Sequence, residues 1–204
     1  MKIELTDRLA ELHRFILESF VASGHSPTLA AVQHRFGLSD EESAENMLAE
    51  LEATRAIHRA SGDPLATHAY PFSNEPTPHR VQLASGVQVY AMCAVDALGI
   101  PFMLNTDARI ESGCSHCGQS ITVAVQDGAL AEHAPESLLV GYMPLDCCTT
   151  PATEQCPNIN FFCSPEHLDE WMENHRGEEL KTLSLSQALE RGREIFGAMM
   201  QKIG

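Results

Sequence analysis

The sequence is poor in positive charge. Only 13 of its 204 residues are Lys or Arg, against 28 Asp or Glu, for a formal charge of −15. A surface this acidic repels the phosphate backbone of DNA or RNA, so no nucleic-acid partner is expected. Long apolar runs are also missing. No stretch approaches the roughly 18 apolar residues of a bilayer-crossing helix, so no membrane partner is expected. The first residues carry Glu4, Asp7 and Glu11 where a secretory signal needs basic and then apolar side chains, which predicts a cytoplasmic protein. No internal repeat or low-complexity tract is present. The hydrophobic fraction of 44% is that of a globular chain, long enough for one large domain or two small ones. Cysteine is absent from the first 92 residues, yet seven follow. An odd number in a reducing compartment argues against a full disulfide framework and leaves buried small side chains or a soft-metal site.

The N-terminal part reads as helical. Leu5, Leu9, Leu12, Ile16 and Phe20 recur at helical spacing. Ser26-Pro27 resembles a helix start, Leu29, Val32 and Phe36 form an apolar stripe, and Gly37 fits a C-cap. Ser39-Asp40-Glu41-Glu42 fits a capping box opening a third helix, with Met47, Leu48 and Leu51 inward. Residues 56–59 and a turn at Gly62-Asp63-Pro64 suggest a hairpin. Three helices and a hairpin predict a winged-helix-like domain over residues 1–78, including a proline-rich extended linker at 71–78. The third helix carries Asp40, Glu41, Glu42, Glu45, Glu50 and Glu52 with only Arg55 at its end, the wrong chemistry for reading a DNA groove.

Residues 79–204 form the second predicted domain. Strand candidates are 81–83, 87–90, 121–125, 138–142 and 159–162, short and separated by turns, so antiparallel pairing is the default. A helix from about Pro165 would bury Leu168 and Trp171, and a last helix opens on the capping box Ser184-Leu185-Ser186-Gln187. The fold class predicted is α+β: a winged-helix-like helical domain, then a mainly antiparallel β domain with flanking helices.

Two cysteines stand in chemically suggestive places. Cys93 follows the strand candidate ending at Tyr90 and falls in the first turn of a helix, where free N–H groups favour a thiolate; Asp96 lies on the same face three residues later. A thiol beside a carboxyl can relay a proton, although a buried cysteine and a helix-favoured aspartate give the same pattern. Cys156 precedes Pro157 and a strand, a setting that suits either a thiol held at a strand mouth or a small core residue.

Around these residues the sequence resembles the organomercurial lyase (alkylmercury lyase) family of bacterial mercury resistance. The resemblance is carried by Tyr90-Ala91-Met92-Cys93-Ala94-Val95-Asp96-Ala97-Leu98, by Ala108-Arg109-Ile110, by Cys156 followed by Phe161-Phe162, and by Asp169-Glu170-Trp171. It implies that Cys93 and Cys156 are the catalytic thiols, Asp96 the catalytic carboxyl and a possible mercury ligand, and Cys114 a structural position. It implies protonolysis of a carbon–mercury bond, giving a hydrocarbon and Hg(II) held by Cys93 and Cys156, with no cofactor required. The partners it implies are an organomercurial substrate, cellular thiols that help remove product, and a mercuric reductase that accepts it.

Gly113-Cys114-Ser115-His116-Cys117-Gly118 is a separate Cys-x-x-Cys turn. With Cys147 and Cys148 it suggests a possible structural zinc site, although adjacent cysteines bind one tetrahedral ion awkwardly. Cys163 has no assigned role. Rival functions remain: a metal-responsive winged-helix transcription regulator with cysteine ligands, or a mercury or copper scavenger without turnover.

Overall fold

The structure, a computed structural model, describes residues 6–144, 151–175 and 180–202. It opens with three helices. α1 (Asp7–Ser23) starts where the Thr6 side chain accepts the Leu9 N–H, buries Leu12, Ile16, Leu17 and Phe20, and ends at Gly24 with φ +81°. The helix start expected at Ser26 moves two residues. Thr28 caps α2 (Leu29–Phe36) by accepting the Ala31 N–H at 3.2 Å, while the Ser26 N–H is engaged by Asn74 Oδ1 at 3.0 Å. The capping box expected from Ser39 also shifts by one. Asp40 Oδ1 accepts the Ser43 N–H at 2.7 Å and opens α3 (Glu41–Ala53), because a carboxylate is the stronger acceptor at a helix N-terminus. The Ser39 hydroxyl donates to that carboxylate instead.

β1 (Ile57–His58) and β2 (His68–Ala69) then pair antiparallel, with Ile57 opposite Ala69. The proline-rich segment is extended only at Phe72–Ser73, between a turn at Pro71 and bends at Asn74, Glu75 and Pro78, and it is hydrogen-bonded into the sheet rather than a free linker. β3 (Phe72–Ser73) pairs with β2 on one side and with β5 (Gln88–Ala91) on the other. One eight-stranded sheet therefore runs from the N-terminal region into the second half, in the order β1-β2-β3-β5-β4-β6-β7-β8, with β4 at Arg80–Leu83, β6 at Ala108–Gly113, β7 at Ser120–Gln126 and β8 at Ala129–Ala134. Every pairing in it is antiparallel. A second antiparallel sheet has the order β10-β9-β11, with β9 at Leu139–Tyr142, β10 at Asn160–Phe162 and β11 at Lys181–Ser184. The mainly antiparallel mixed fold agrees with the expectation.

Between β5 and β6 lies α4 (Ala94–Leu104), whose residues are nearly all buried. A helix apolar on all faces belongs inside a domain. It packs on α6 (Leu185–Phe196), which opens with the expected Ser184/Gln187 capping box. α5 (Pro165–Asn174) is capped by Ser164 and buries Leu168, with Trp171 only partly covered. A short α7 (Met199–Lys202) follows. One continuous apolar cluster extends from Leu9 to Phe196.

The α4–α6 contact depends on two glycines. A Cβ on Gly192 would lie 2.9 Å from the Gly99 nitrogen and 3.0 Å from its Cα. Both obstructing atoms are backbone, so no side chain can swing away. We expect Gly192→Ala to cost about 1–3 kcal/mol of stability by overpacking. Urea melts of the two proteins check this, and an unchanged midpoint would contradict the packing.

Candidate active site

β5 delivers the chain to Cys93, which is the N-cap of α4, with extended backbone at φ −150° and ψ 175°. Its sulfur does the work usually done by a serine or aspartate oxygen, accepting the Asp96 N–H at 3.3 Å. Because α4 starts there, Asp96 falls in the first turn. Its side chain returns to the same side as Cys93.

Cys156 arrives from the other half. A helical turn at Pro151–Gln155 runs into a second one at Cys156–Asn158, and the Ile159 N–H closes back on the Cys156 carbonyl at 3.1 Å. Buried Gln155 pins the first turn by donating from Nε2 to the Met143 carbonyl at 2.7 Å. The two halves are stitched by the Ala94 N–H, which donates to the Ile159 carbonyl at 3.0 Å. Cys156 Sγ then donates to Asp96 Oδ2 at 3.6 Å. The ligand atoms of Cys93, Asp96 and Cys156 all lie within 4.8 Å of one another, and the residues are only 2%, 5% and 5% exposed.

Burial dominates the electrostatics of this trio. It raises the Asp96 carboxyl to about 7, although hydrogen bonds with Cys93 and Cys156 pull the other way. The Cys93 thiol is pushed well above its ordinary value, first by burial and then by Cys156 and Asp96, against the pull of the Asp96 N–H. At Cys156 the hydrogen bond with Cys93 lowers the thiol, but burial and the neighbouring Asp96 outweigh it. The helix N-terminus thus does not make Cys93 a resting thiolate. All three groups favour their protonated, neutral forms, and Asp96 changes state close to neutrality.

Sequence reasoning missed Tyr70. Its phenol is raised by burial and by the negative charges that Cys156 and Asp96 can carry, and it hydrogen-bonds the Ala152 backbone. Lying before Pro71, in what reads as a linker, it gives no local signal. Arg109, by contrast, sits at an exposed position of β6.

A second cluster surrounds the Cys-x-x-Cys turn. Cys147 and Cys148 lie outside the described residues. Among the described residues, the side chains that meet Cys114 and Cys117 are those of Cys163 and His167, with all four ligand atoms within 4.8 Å of one another. Burial pushes the Cys114 thiol up, but backbone N–H groups of Cys117, Cys163 and His116 prevail and bring it to about 6. Burial, with Cys114 and Cys117 beside it, drives Cys163 up to about 12. Cys163 and His167 are four residues apart at a strand end and a helix start, a spacing visible in the sequence as Cys-x-x-x-His.

The Asp96 shift has a stability consequence. Its folded value of about 7 exceeds the unfolded 3.8, so its contribution is complete below about pH 4 and is lost as pH rises through about 7. Buried His13 and His79, both lowered by desolvation to about 4, act in the opposite sense. Their contribution is present above about 6.5 and lost as pH falls through about 4. Asp96→Asn removes the first effect and leaves the second. We expect the stability of Asp96→Asn relative to wild type to climb between pH 5 and pH 8.5, by an amount on the order of 3 kcal/mol. Chemical denaturation across that range measures it, and a flat difference would mean that burial does not hold the proton.

Known proteins resemble this chain in sequence and in fold. Residues 72–197 match the family model described as alkylmercury lyase, and residues 2–66 match that of the LexA DNA binding domain. The alkylmercury lyase of Bacillus cereus is 33% identical over 118 residues, 58% of this chain and 53% of that protein. That of Staphylococcus epidermidis (strain ATCC 12228 / FDA PCI 1200) is 31% identical over 129 residues, 63% of this chain and 58% of that protein. The chain thus spans about half the length of the curated relatives it matches. The crystal structure of the mercury-bound form of MerB2 superposes with a TM-score of 0.80 at 26% identity, over 98% of this chain and 94% of that one. The matched family segment contains Cys93, Asp96 and Cys156 and takes in more than half of the chain: the chain belongs to the alkylmercury lyase family.

Proposed function

We propose that this protein cleaves carbon–mercury bonds of organomercurials by protonolysis. The observation that carries this reading is a buried trio of two thiols and one carboxyl with a raised pKa, within 4.8 Å of one another. Mercury(II) is a soft cation whose best protein ligands are thiolates, and two cysteines offer it both. The Cys93 thiol displaces the ligand X from R–Hg–X, forming Cys93–S–Hg–R and leaving as HX the proton it gives up. Cys156 then bonds to mercury while passing its proton to Asp96, which enters this step as the carboxylate, a form that a value of about 7 leaves well populated near neutral pH. The second Hg–S bond increases electron density on carbon. Asp96 protonates that carbon, and the carbon–mercury bonding pair becomes the new C–H bond. The products are R–H and Hg(II) held between Cys93 and Cys156, with Asp96 returned to its starting state. Each thiol proton is accounted for, and no cofactor enters. A carboxyl near 7 suits both halves of this relay, accepting a proton and giving it up near neutral pH. In this reading Asp96 can also touch the metal, cellular thiols help remove Hg(II), and a mercuric reductase receives it.

The first half of the chain supports a winged-helix reading: three helices and a paired β1–β2, with a LexA DNA binding domain match over residues 2–66. That match favours a second function, a metal-responsive regulator that binds DNA. The charges oppose it. On α3 the side chains of Glu41, Glu42, Glu45 and Glu50 are exposed, where a groove-reading helix needs donors and positive charge. We take this domain as a structural cover that does not read DNA and the protein as cytoplasmic. Among the described residues no helix is long and apolar enough to cross a membrane.

Headspace analysis for benzene or methane released from phenyl- or methylmercury tests the enzymatic reading. We expect Cys93→Ala, Cys156→Ser and Asp96→Ala each to lose at least about 100-fold in turnover. Wild-type release by all three variants would exclude the mechanism. A gel shift over a salt series tests the rival, and we expect no specific retention of DNA; tight, sequence-specific binding would favour the regulator.

A further inference from the structure

We propose that Cys114, Cys117, Cys163 and His167 form a tetrahedral zinc site that clamps the β6–β7 turn to the corner between β10 and α5. The site is separate from the Cys93–Asp96–Cys156 trio and does not depend on the lyase reading.

The ligand set has the composition of a structural zinc centre, three thiols and one imidazole, with no position left for substrate. It comes from two distant segments. Cys114 and Cys117 lie in the turn between β6 and β7, closed by the Gly118 N–H on the Cys114 carbonyl at 2.8 Å, with Gly118 at φ +74°. Cys163 and His167 span the end of β10 and the first turn of α5, where the Ser164 hydroxyl caps the His167 N–H.

The distances fit one small ion. Zinc–sulfur bonds of about 2.3 Å at tetrahedral angles set sulfur–sulfur edges of about 3.8 Å, and a zinc–nitrogen bond near 2.0–2.1 Å sets sulfur–nitrogen edges of about 3.6 Å. Cys117 and Cys163 stand 3.7 Å apart at Sγ. His167 Nδ1 lies 3.8 Å from Cys114 Sγ and 2.9 Å from Cys163 Sγ, which bracket the expected edge. The thiols are free, and Cys117 and Cys163 at 3.7 Å are not joined by a disulfide, whose S–S bond is about 2.05 Å. Neighbours orient the ligands. The His167 ring stacks on His116 at 4.8 Å, and His116 Nε2 is held by Glu170 at 3.0 Å. The Ser115 N–H joins the two segments by donating to the Phe161 carbonyl at 3.0 Å.

This placement gives the metal something to hold. β10 joins the clamp at Cys163 to the turn that carries Cys156, and the residue preceding β10, Ile159, receives the Ala94 N–H. A clamp at one end of β10 therefore restrains the backbone from which Cys156 is presented at the other.

The test uses the full chain, untagged and purified without chelator. We expect about one zinc per chain by elemental analysis, retained in the Cys93→Ala, Cys156→Ser double variant, which removes the other thiol pair. Replacement by Co²⁺ is expected to produce the visible ligand-field bands of a tetrahedral ion and thiolate charge-transfer absorption. Since His167→Ala can fail by unfolding, the decisive variant is His167→Cys. It keeps a tetrahedral site, and its Co²⁺ charge-transfer band should strengthen as a fourth thiolate is added. Zinc at background level in the wild type, a Cys117–Cys163 disulfide in reduced preparations, or identical Co²⁺ spectra for wild type and His167→Cys would each overturn the proposal.

Discussion

The hydrogen bond from the Ala94 N–H to the Ile159 carbonyl organises this molecule. It joins the first residue of the central buried helix to the residue leading into β10. It does so next to Cys93 on one chain segment and close to Cys156 on the other. Without it the two thiols belong to separate sheets. With it they face one carboxyl across a few ångströms. The surrounding apolar cluster excludes water, and desolvation pushes all three side chains toward their protonated forms.

Desolvation also resolves a conflict that the sequence leaves open. A helix N-terminus stabilises negative charge, so Cys93 and Asp96 in the first turn of α4 would both be expected to ionise readily. The orphan N–H of Asp96 is indeed directed at sulfur. Yet α4 is enclosed by strands and by α6, and the loss of solvent outweighs the helix dipole at both residues. The consequence is chemical. A carboxyl that would be a resting anion on an exposed helix end becomes a group that holds its proton and can release it.

Much of this was legible in the sequence, and the exceptions share a cause. The helices with strong apolar stripes and the strands with dense β-branched or aromatic residues, β7 and β9 among them, stand where periodicity puts them. β8 does not announce itself, because Ala129–Ala134 is an edge strand with almost every side chain in solvent, so burial writes no pattern into it. β6 offers only Ala108 and Ile110 inward, too few to separate a strand from a turn. The cap positions slipped by one or two residues where several candidate oxygens are adjacent and only geometry selects among them. Cys93 and Asp96 were readable because three residues on a helix fix their relation. Their meeting with Cys156 came from family resemblance, since no local rule connects positions sixty residues apart. The Cys163–His167 pair went unread although its spacing is visible in the sequence, and its partnership with Cys114 and Cys117 depends on how β10 lies against the β6–β7 turn.

The short strand β3 has a further implication. It occupies the outer edge of β5 at Tyr90 and Ala91, while the turn at Gly24 closes over Gln88, whose carbonyl would lie 2.6 Å from any side chain at that glycine. The N-terminal half thus serves as an edge guard for the strand that leads to Cys93. Cut away, it would leave a row of unpaired backbone groups beside Cys93, a template for strand addition by neighbouring chains. The N-terminal half is therefore less a detachable appendage than the part of the chain that carries this sheet on past β5.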